Sequence, residues 1–167
     1  MQGTPRARWL DAEQQRDWRA YLRASRLLET ALDRDLQEHG VQLSEYEIIS
    51  MLSEAPGRHL RMSALADLVV QSRSRLTHTA NRLERRGWVE RRPSAGDRRG
   101  IDLVLTAEGR RALEGMAPVH VESVRRNLLN HLSADEFHAL GSAMRSIADG
   151  IRSQAPGHDV GKGTDAI

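Results

Sequence analysis

From Trp9 to His39 the apolar side chains recur three and four apart, at Tyr21, Ala24, Leu28, Ala31, Leu32 and Leu36. That spacing predicts one long helix. Leu22 and Leu27 widen its stripe enough to meet more than one neighbour, and His39-Gly40 closes it. A second helix is expected to open at Ser44, with Glu47 completing a capping box and Leu43 stapled on Ile48. Tyr46, Ile48, Ile49 and Leu52 are its inward side, and Pro56-Gly57 ends it. Ser63 is read as the cap of a short helix through Val69, with Leu65, Ala66, Leu68 and Val69 buried. A turn at Val70-Gln71 leads to Ser72, the cap of a helix that stops at Gly87 and turns Leu76, Ala80 and Leu83 inward. Two short helices so closely joined predict a helix-turn-helix.

The period then changes from helical to alternating. Trp88–Arg91 and Ile101–Leu105 read as short strands, joined by Pro93–Gly100 as a hairpin loop. A hairpin this small must pack on the helices. Thr106 caps a long helix towards Leu129, which Gly115 and Pro118 should bend or bring close to a neighbour. Ser133 with Glu136 forms another capping box, Leu132 with Phe137 another staple, and Leu140, Met144, Ile147, Ala148 and Ile151 a stripe. The expected fold class is mainly α: a winged helix-turn-helix domain (41–110) flanked by long dimerisation helices at the N-terminus (1–40) and C-terminus (111–152). The tail 153–167, with Pro156 and few anchors, is expected to be disordered. The terminal stripes exceed what one small core can cover, so a homodimer is expected.

Charge sharpens this picture through its placement. The chain has 167 residues and a formal net charge of only +2, with 24 arginines and a single lysine, Lys162. Gln71–Gly100 holds nine arginines against Glu84, Glu90 and Asp97, so this segment is +6 and the rest sums to −4. The absence of cysteine excludes disulfides, thiol redox chemistry and cysteine zinc sites. There is no run of 18 apolar residues, and Met1–Asp11 lacks the apolar core of a signal peptide. A cytoplasmic protein that does not enter the membrane is expected.

On the basic helix Arg75, His78 and Arg82 share a side, with Ser74, Thr77 and Asn81 adjacent. Arginine can fork onto guanine, hydroxyls reach bases or phosphates, and Ser72 with the first free N–H groups, beside Arg73, offers a phosphate site. The hairpin carries Arg98 and Arg99 near its tip and Arg91 and Arg92 at its base. A narrow arginine-bearing tip suits the minor groove. Asp97 beside DNA makes sense if it pins an arginine such as Arg99. The competing readings are a solvated helix face and an ordinary solvated turn.

The chain closely resembles the MarR family of bacterial winged helix-turn-helix regulators, over about Trp18 to Ile151. The resemblance is carried by Ser72-Arg-Ser-Arg-Leu-Thr77, Leu83-Glu-Arg-Arg-Gly-Trp-Val-Glu-Arg-Arg92, Asp97-Arg-Arg-Gly100 and Leu105-Thr-Ala-Glu-Gly109. It implies recognition-helix roles for Ser72, Ser74, Arg75, Thr77, His78 and Arg82, with His78 where arginine is frequent. It implies that Asp97 and Arg99 form the wing's Asp-x-Arg pair. It also implies a homodimer on near-palindromic double-stranded DNA, released by a small aromatic or phenolic effector between the dimer helices and the DNA-binding lobe. Trp18, Tyr21, Arg23 and His39 fall near that cleft without a motif to fix them, and Trp18 reads better as a dimer-packing aromatic. The family's thiol-sensing mechanism is excluded by the missing cysteine.

No other chemistry is signalled. The seven histidines include no ligand spacing such as H-E-x-x-H, so neither metal nor cofactor is expected. Gly157–Thr164 has three residues between its first glycine and Gly161, one too few for a phosphate loop. No nucleophile stands beside a base, and an enzyme is not expected. The expected function is a sequence-specific transcriptional regulator, a repressor released by its ligand. The alternatives are a non-specific architectural DNA-binding protein and a small-molecule-binding dimer without DNA function.

Overall fold

The computed structural model describes residues 8–95 and 97–154, excepting the side chains of Asp97 and Arg98. The chain divides into two compact units, Met1–Asn127 and Leu128–Ile167.

In the first unit α1 spans Ala12–Gln37, capped by Asp11, whose carboxylate accepts the Gln14 N–H at 2.8 Å. The second helix, α2, spans Leu43–Glu54. Its box lies two residues earlier than expected: Glu45, not Glu47, reaches back to accept the Gln42 N–H at 3.0 Å. The shift has a tertiary cause, because Asp33 on α1 accepts the Leu43 N–H at 2.8 Å and so fixes the first turn. The short helix α3 likewise starts early, at Met62, and runs to Leu68; Leu65 and Ala66 are buried as expected, but Leu68 is half exposed because it falls on the outer side of this short helix. Before it comes a strand that the sequence pattern did not show, β1 at His59–Arg61.

The next helix, α4, spans Arg73–Arg85, and the hairpin strands β2 and β3 span Val89–Ser94 and Asp97–Leu105. The sheet order is β1-β3-β2, antiparallel throughout, with Leu60 opposite Leu103 and Val89 opposite Leu105. The hairpin is thus anchored by a third strand as well as by helices. Leu36, Ile48, Ile49, Leu52, Leu65, Leu76, Leu83 and Leu103 are wholly buried and join one core beneath the sheet. Each such side chain is worth about 1.5–3 kcal/mol of burial.

The fifth helix, α5 (Ala107–Asn127), begins at the expected Thr106 cap, whose Oγ1 accepts the Gly109 N–H at 3.0 Å. It is one helix through Pro118 and across the 110/111 border. Its close approach is at Gly109, not Gly115: a Cβ there would stand 2.1 Å from the Trp88 carbonyl oxygen, whereas Gly115 faces open space. Along α1, buried Asp35 takes the Ser123 hydroxyl and the Arg126 guanidinium of α5. These bonds, opposed by burial, hold its carboxyl below the usual range.

The second unit contains a 3-10 turn at Leu129–His131 and α6, Ala134–Gln154. Its expected box is present, with Glu136 accepting from Ser133 N at 2.8 Å. No residue of α6 is buried, and Phe137, Leu140, Ile147 and Ile151 are exposed. Of the tail, Ser153 and Gln154 belong to α6; Gly157–Thr164 lies outside the described residues.

Candidate nucleic-acid interface

The turn between α3 and α4 is tight. Val69 N–H reaches Leu65 O and Gln71 N–H reaches Ala66 O, each at 3.0 Å, with Val70 between them at φ +50°. A β-branched residue is strained there, and its side chain is almost fully exposed. Ser72 then caps α4, accepting the Arg75 N–H at 3.2 Å. Leu76, Thr79, Ala80 and Leu83 bury one face. Ser72, Arg73, Ser74, Arg75, Thr77, His78 and Asn81 remain exposed on the other. Six of the proposed contact residues, Ser72, Arg73, Ser74, Arg75, Thr77 and His78, therefore stand exposed on α4 and its cap. The Thr77 hydroxyl donates to Arg73 O at 2.8 Å, leaving its oxygen to accept.

Arg82 is placed differently from its neighbours. Its Nε donates to Glu45 Oε1 at 3.1 Å and its Nη2 to Gln42 Oε1, both on the α2 side. Half-buried, it braces α4 while leaving about a third of its side chain to solvent. A shallow cleft of about 380 Å³ follows this seam, walled by Ser72, Ser74, Arg75, His78 and Arg82.

The wing is fixed to α4 by Arg91 of β2. Its guanidinium pairs with Glu84 and donates to Asn81 Oδ1 at 2.7 Å, while its backbone N–H donates to Glu84 Oε1 at 3.2 Å. Helix and hairpin therefore present their cations as one rigid surface. Arg99 on β3 is exposed beside Arg73 and Arg61. The expected Asp97–Arg99 pin and the Arg98 side chain lie outside the described residues.

A helix-turn-helix whose second helix is exposed and basic, followed by a hairpin locked against it, is a winged helix-turn-helix. A family model described as "MarR family" matches residues 39–100. Sco3205, a MarR family transcriptional regulator from Streptomyces coelicolor solved in complex with DNA, is 41% identical, with a TM-score of 0.84. That likeness covers 91% of this chain and 97% of Sco3205. The HTH-type transcriptional regulator PecS of Dickeya dadantii is 30% identical over 115 residues, 68% of this chain and 69% of PecS. Transcriptional repressor MprA of Escherichia coli is 33% identical over 94 residues, 56% of this chain and 53% of MprA.

The chain belongs to the MarR family. Within this MarR family chain a cleft of about 750 Å³ lies between α1, α2 and the α3–α4 turn. Arg26, Glu29, Asp33, Glu47, Gln71 and Arg75 are on its wall, and the Gln71 Oε1 atom is buried without a partner. Burial, with Glu29 nearby, pushes the Glu47 carboxyl up, while Arg75 pulls it back. None of Trp18, Tyr21, Arg23 and His39 lines this cleft. Trp18 and Tyr21 stack on each other at 5.7 Å, both about half exposed, Arg23 is exposed, and His39 Nδ1 lies 3.2 Å from Asp35 O. Sequence reasoning missed Glu45 and read Glu47 only as a helix cap, because their contacts come from other elements. Among the described residues no group of three His, Asp or Glu could hold a metal ion, and no helix is long and apolar enough to cross a membrane.

Proposed function

We propose that this chain is a homodimeric, sequence-specific DNA-binding repressor, released when a small aromatic or phenolic ligand enters the cleft beside Arg75. The observation that carries the reading is the single basic surface formed by α4 and the wing. Ser72, Arg73, Ser74, Arg75, Thr77, His78 and the exposed part of Arg82 would read the major groove and its phosphates, with Asp97, Arg98 and Arg99 at the adjacent minor groove. The DNA-bound Sco3205 and the repressor MprA support DNA binding and repression respectively.

The second copy covers apolar surface that one chain leaves open: Trp9, Leu10, Trp18, Tyr21 and Leu27 near α1, and Phe137, Ile147 and Ile151 on α6. The Trp18–Tyr21 stack belongs to that surface. Two copies predict a near-palindromic operator with half-site centres about 34–36 Å apart. In the effector cleft Arg26 and Arg75 offer guanidiniums to an acid, and Leu43 and Val69 offer apolar wall. Because Arg75 belongs to both cleft and DNA surface, a ligand there has different affinity for free and DNA-bound protein, which is what release requires.

The test is fluorescence anisotropy with the intergenic duplex next to the protein's own coding sequence, against unrelated competitor DNA. Arg75→Ala and Arg99→Ala should each weaken binding by about 10- to 100-fold. Wild-type affinity in both would sink the assignment. Equal competition by unrelated DNA would favour an architectural role, and no salt-dependent binding at all would favour a small-molecule-binding dimer.

A further inference from the structure

A second concavity, about 450 Å³, lies between α4 and the wing. Arg61, Arg73, Arg91 and Arg99 stand around it, and no acidic side chain among the described residues is on its wall. Met62, Leu76 and Ile101 supply apolar wall. Arg91 is already tied to Glu84 and Asn81 and serves as a strut. Arg61 is placed by the strand the sequence pattern did not reveal, at the end of β1 in register with Asp102. It is exposed, and its guanidinium lies against β3 at Gly100: a Cβ there would stand 3.0 Å from Arg61 Nη2 and 2.9 Å from Ser94 Oγ. The bare Cα of Gly100 is what gives the guanidinium that room.

We propose that Arg61 binds a phosphodiester of the DNA strand that passes between the recognition helix and the wing. This rests on the DNA-binding reading above. A helix in the major groove and a hairpin in the next minor groove must straddle one backbone strand, and the concavity between them is where its phosphates pass. A planar guanidinium can take two phosphate oxygens at once, and the apolar wall of Met62, Leu76 and Ile101 strengthens that attraction. Arg73 and Arg99 flank the same phosphate path. Arg61 thereby sets affinity and register and carries no base preference.

Full-length wild type, Arg61→Gln and Arg61→Lys are compared on a labelled intergenic duplex over a potassium chloride series. Arg61→Gln should bind about 5- to 20-fold more weakly on matched and half-site-mutated duplexes alike, and lower the salt slope by about one per protomer engaged. Arg61→Lys should keep the slope. Neutral methylphosphonate links walked along the strand should weaken wild type at one phosphate per half-site and leave Arg61→Gln indifferent there. A wild-type slope in Arg61→Gln, or equal sensitivity of both proteins to every neutral link, overturns the proposal. The underlying reading fails separately: if Arg75→Ala leaves the preference for this duplex intact, sequence-specific recognition by α4 is wrong, while the Arg61 slope still decides the phosphate contact.

Discussion

Arg82 on the recognition helix meets Glu45 on α2 at 3.1 Å, and the two partners differ sharply in exposure, 37% for the arginine side chain against 2% for the carboxylate. The pair fixes how α4 is rotated against α2, and so which of its side chains face outward. Removing Arg82 strands a buried carboxylate with Arg86, 3.9 Å away, as its one remaining cationic partner among the described residues. Removing Glu45 leaves a guanidinium that water can reach. Arg82→Ala should therefore cost about 2–4 kcal/mol of stability and Glu45→Gln about 1–2 kcal/mol. Urea unfolding of both variants checks the order, and a larger loss in Glu45→Gln would show that the pair does not act this way.

Two glycines of α5 should respond oppositely to the same change. At Gly109 an added methyl collides with the Trp88 backbone carbonyl, which cannot swing aside as a flexible side chain would. At Gly115 it meets nothing within 4 Å. Gly109→Ala should destabilise by about 1–3 kcal/mol or more, whereas Gly115→Ala should stabilise by up to about 1 kcal/mol through helix propensity. Thermal unfolding of the pair decides it; a stable Gly109→Ala would mean that α5 and the start of β2 do not pack this closely.

These contacts mark how far the sequence was legible. Periodicity and caps are local, so α1, α4, α5 and α6 stand where their spacing put them, and Thr106 and Ser133 cap as expected. The exposed face of α4 followed from Leu76, Ala80 and Leu83 alone. Features set by a distant partner were not legible. The α2 start moved because Asp33, ten residues away, caps it, and Arg82 turned to a carboxylate 37 residues away. The three residues of β1 have no period of their own and become a strand only through pairing with β3. The cleft beside Arg75 was not legible either, since it is formed where three elements meet, away from the α1 aromatics.

His120 on α5 lies against Tyr46 of α2 with ring centres 4.4 Å apart, and its Nδ1 is buried without a partner. Burial holds its pKa below the ordinary 6.5. The folded protein therefore refuses a proton that the unfolded chain accepts. Its contribution is complete above 6.5 and is lost as pH falls from there towards the depressed value. Wild type should lose stability between about pH 7 and 5, and His120→Phe should flatten that part of the profile. Urea midpoints across this range test it, with an unchanged slope in the variant counting against the assignment.

Glu47 has the opposite sign and a link to DNA. Burial, then the charge of Glu29, raises its carboxyl above the ordinary 4.5, with Arg75 opposing. The folded state holds this proton more tightly than the unfolded chain, so stability falls as pH rises through 4.5 to the raised value and the penalty persists at neutral pH. Glu47→Gln should therefore stabilise the protein at neutral pH, with the gain vanishing below the ordinary value. It also removes a negative charge that competes with phosphate for Arg75, so DNA affinity should rise about two- to fivefold at fixed salt. Glu29→Gln supplies the control: it relieves the same repulsion but leaves Glu47 beside Arg75. Both variants should be more stable, yet only Glu47→Gln should bind DNA more tightly. Equal DNA affinity in the two, measured by anisotropy in one buffer, would show that Glu47 does not restrain Arg75.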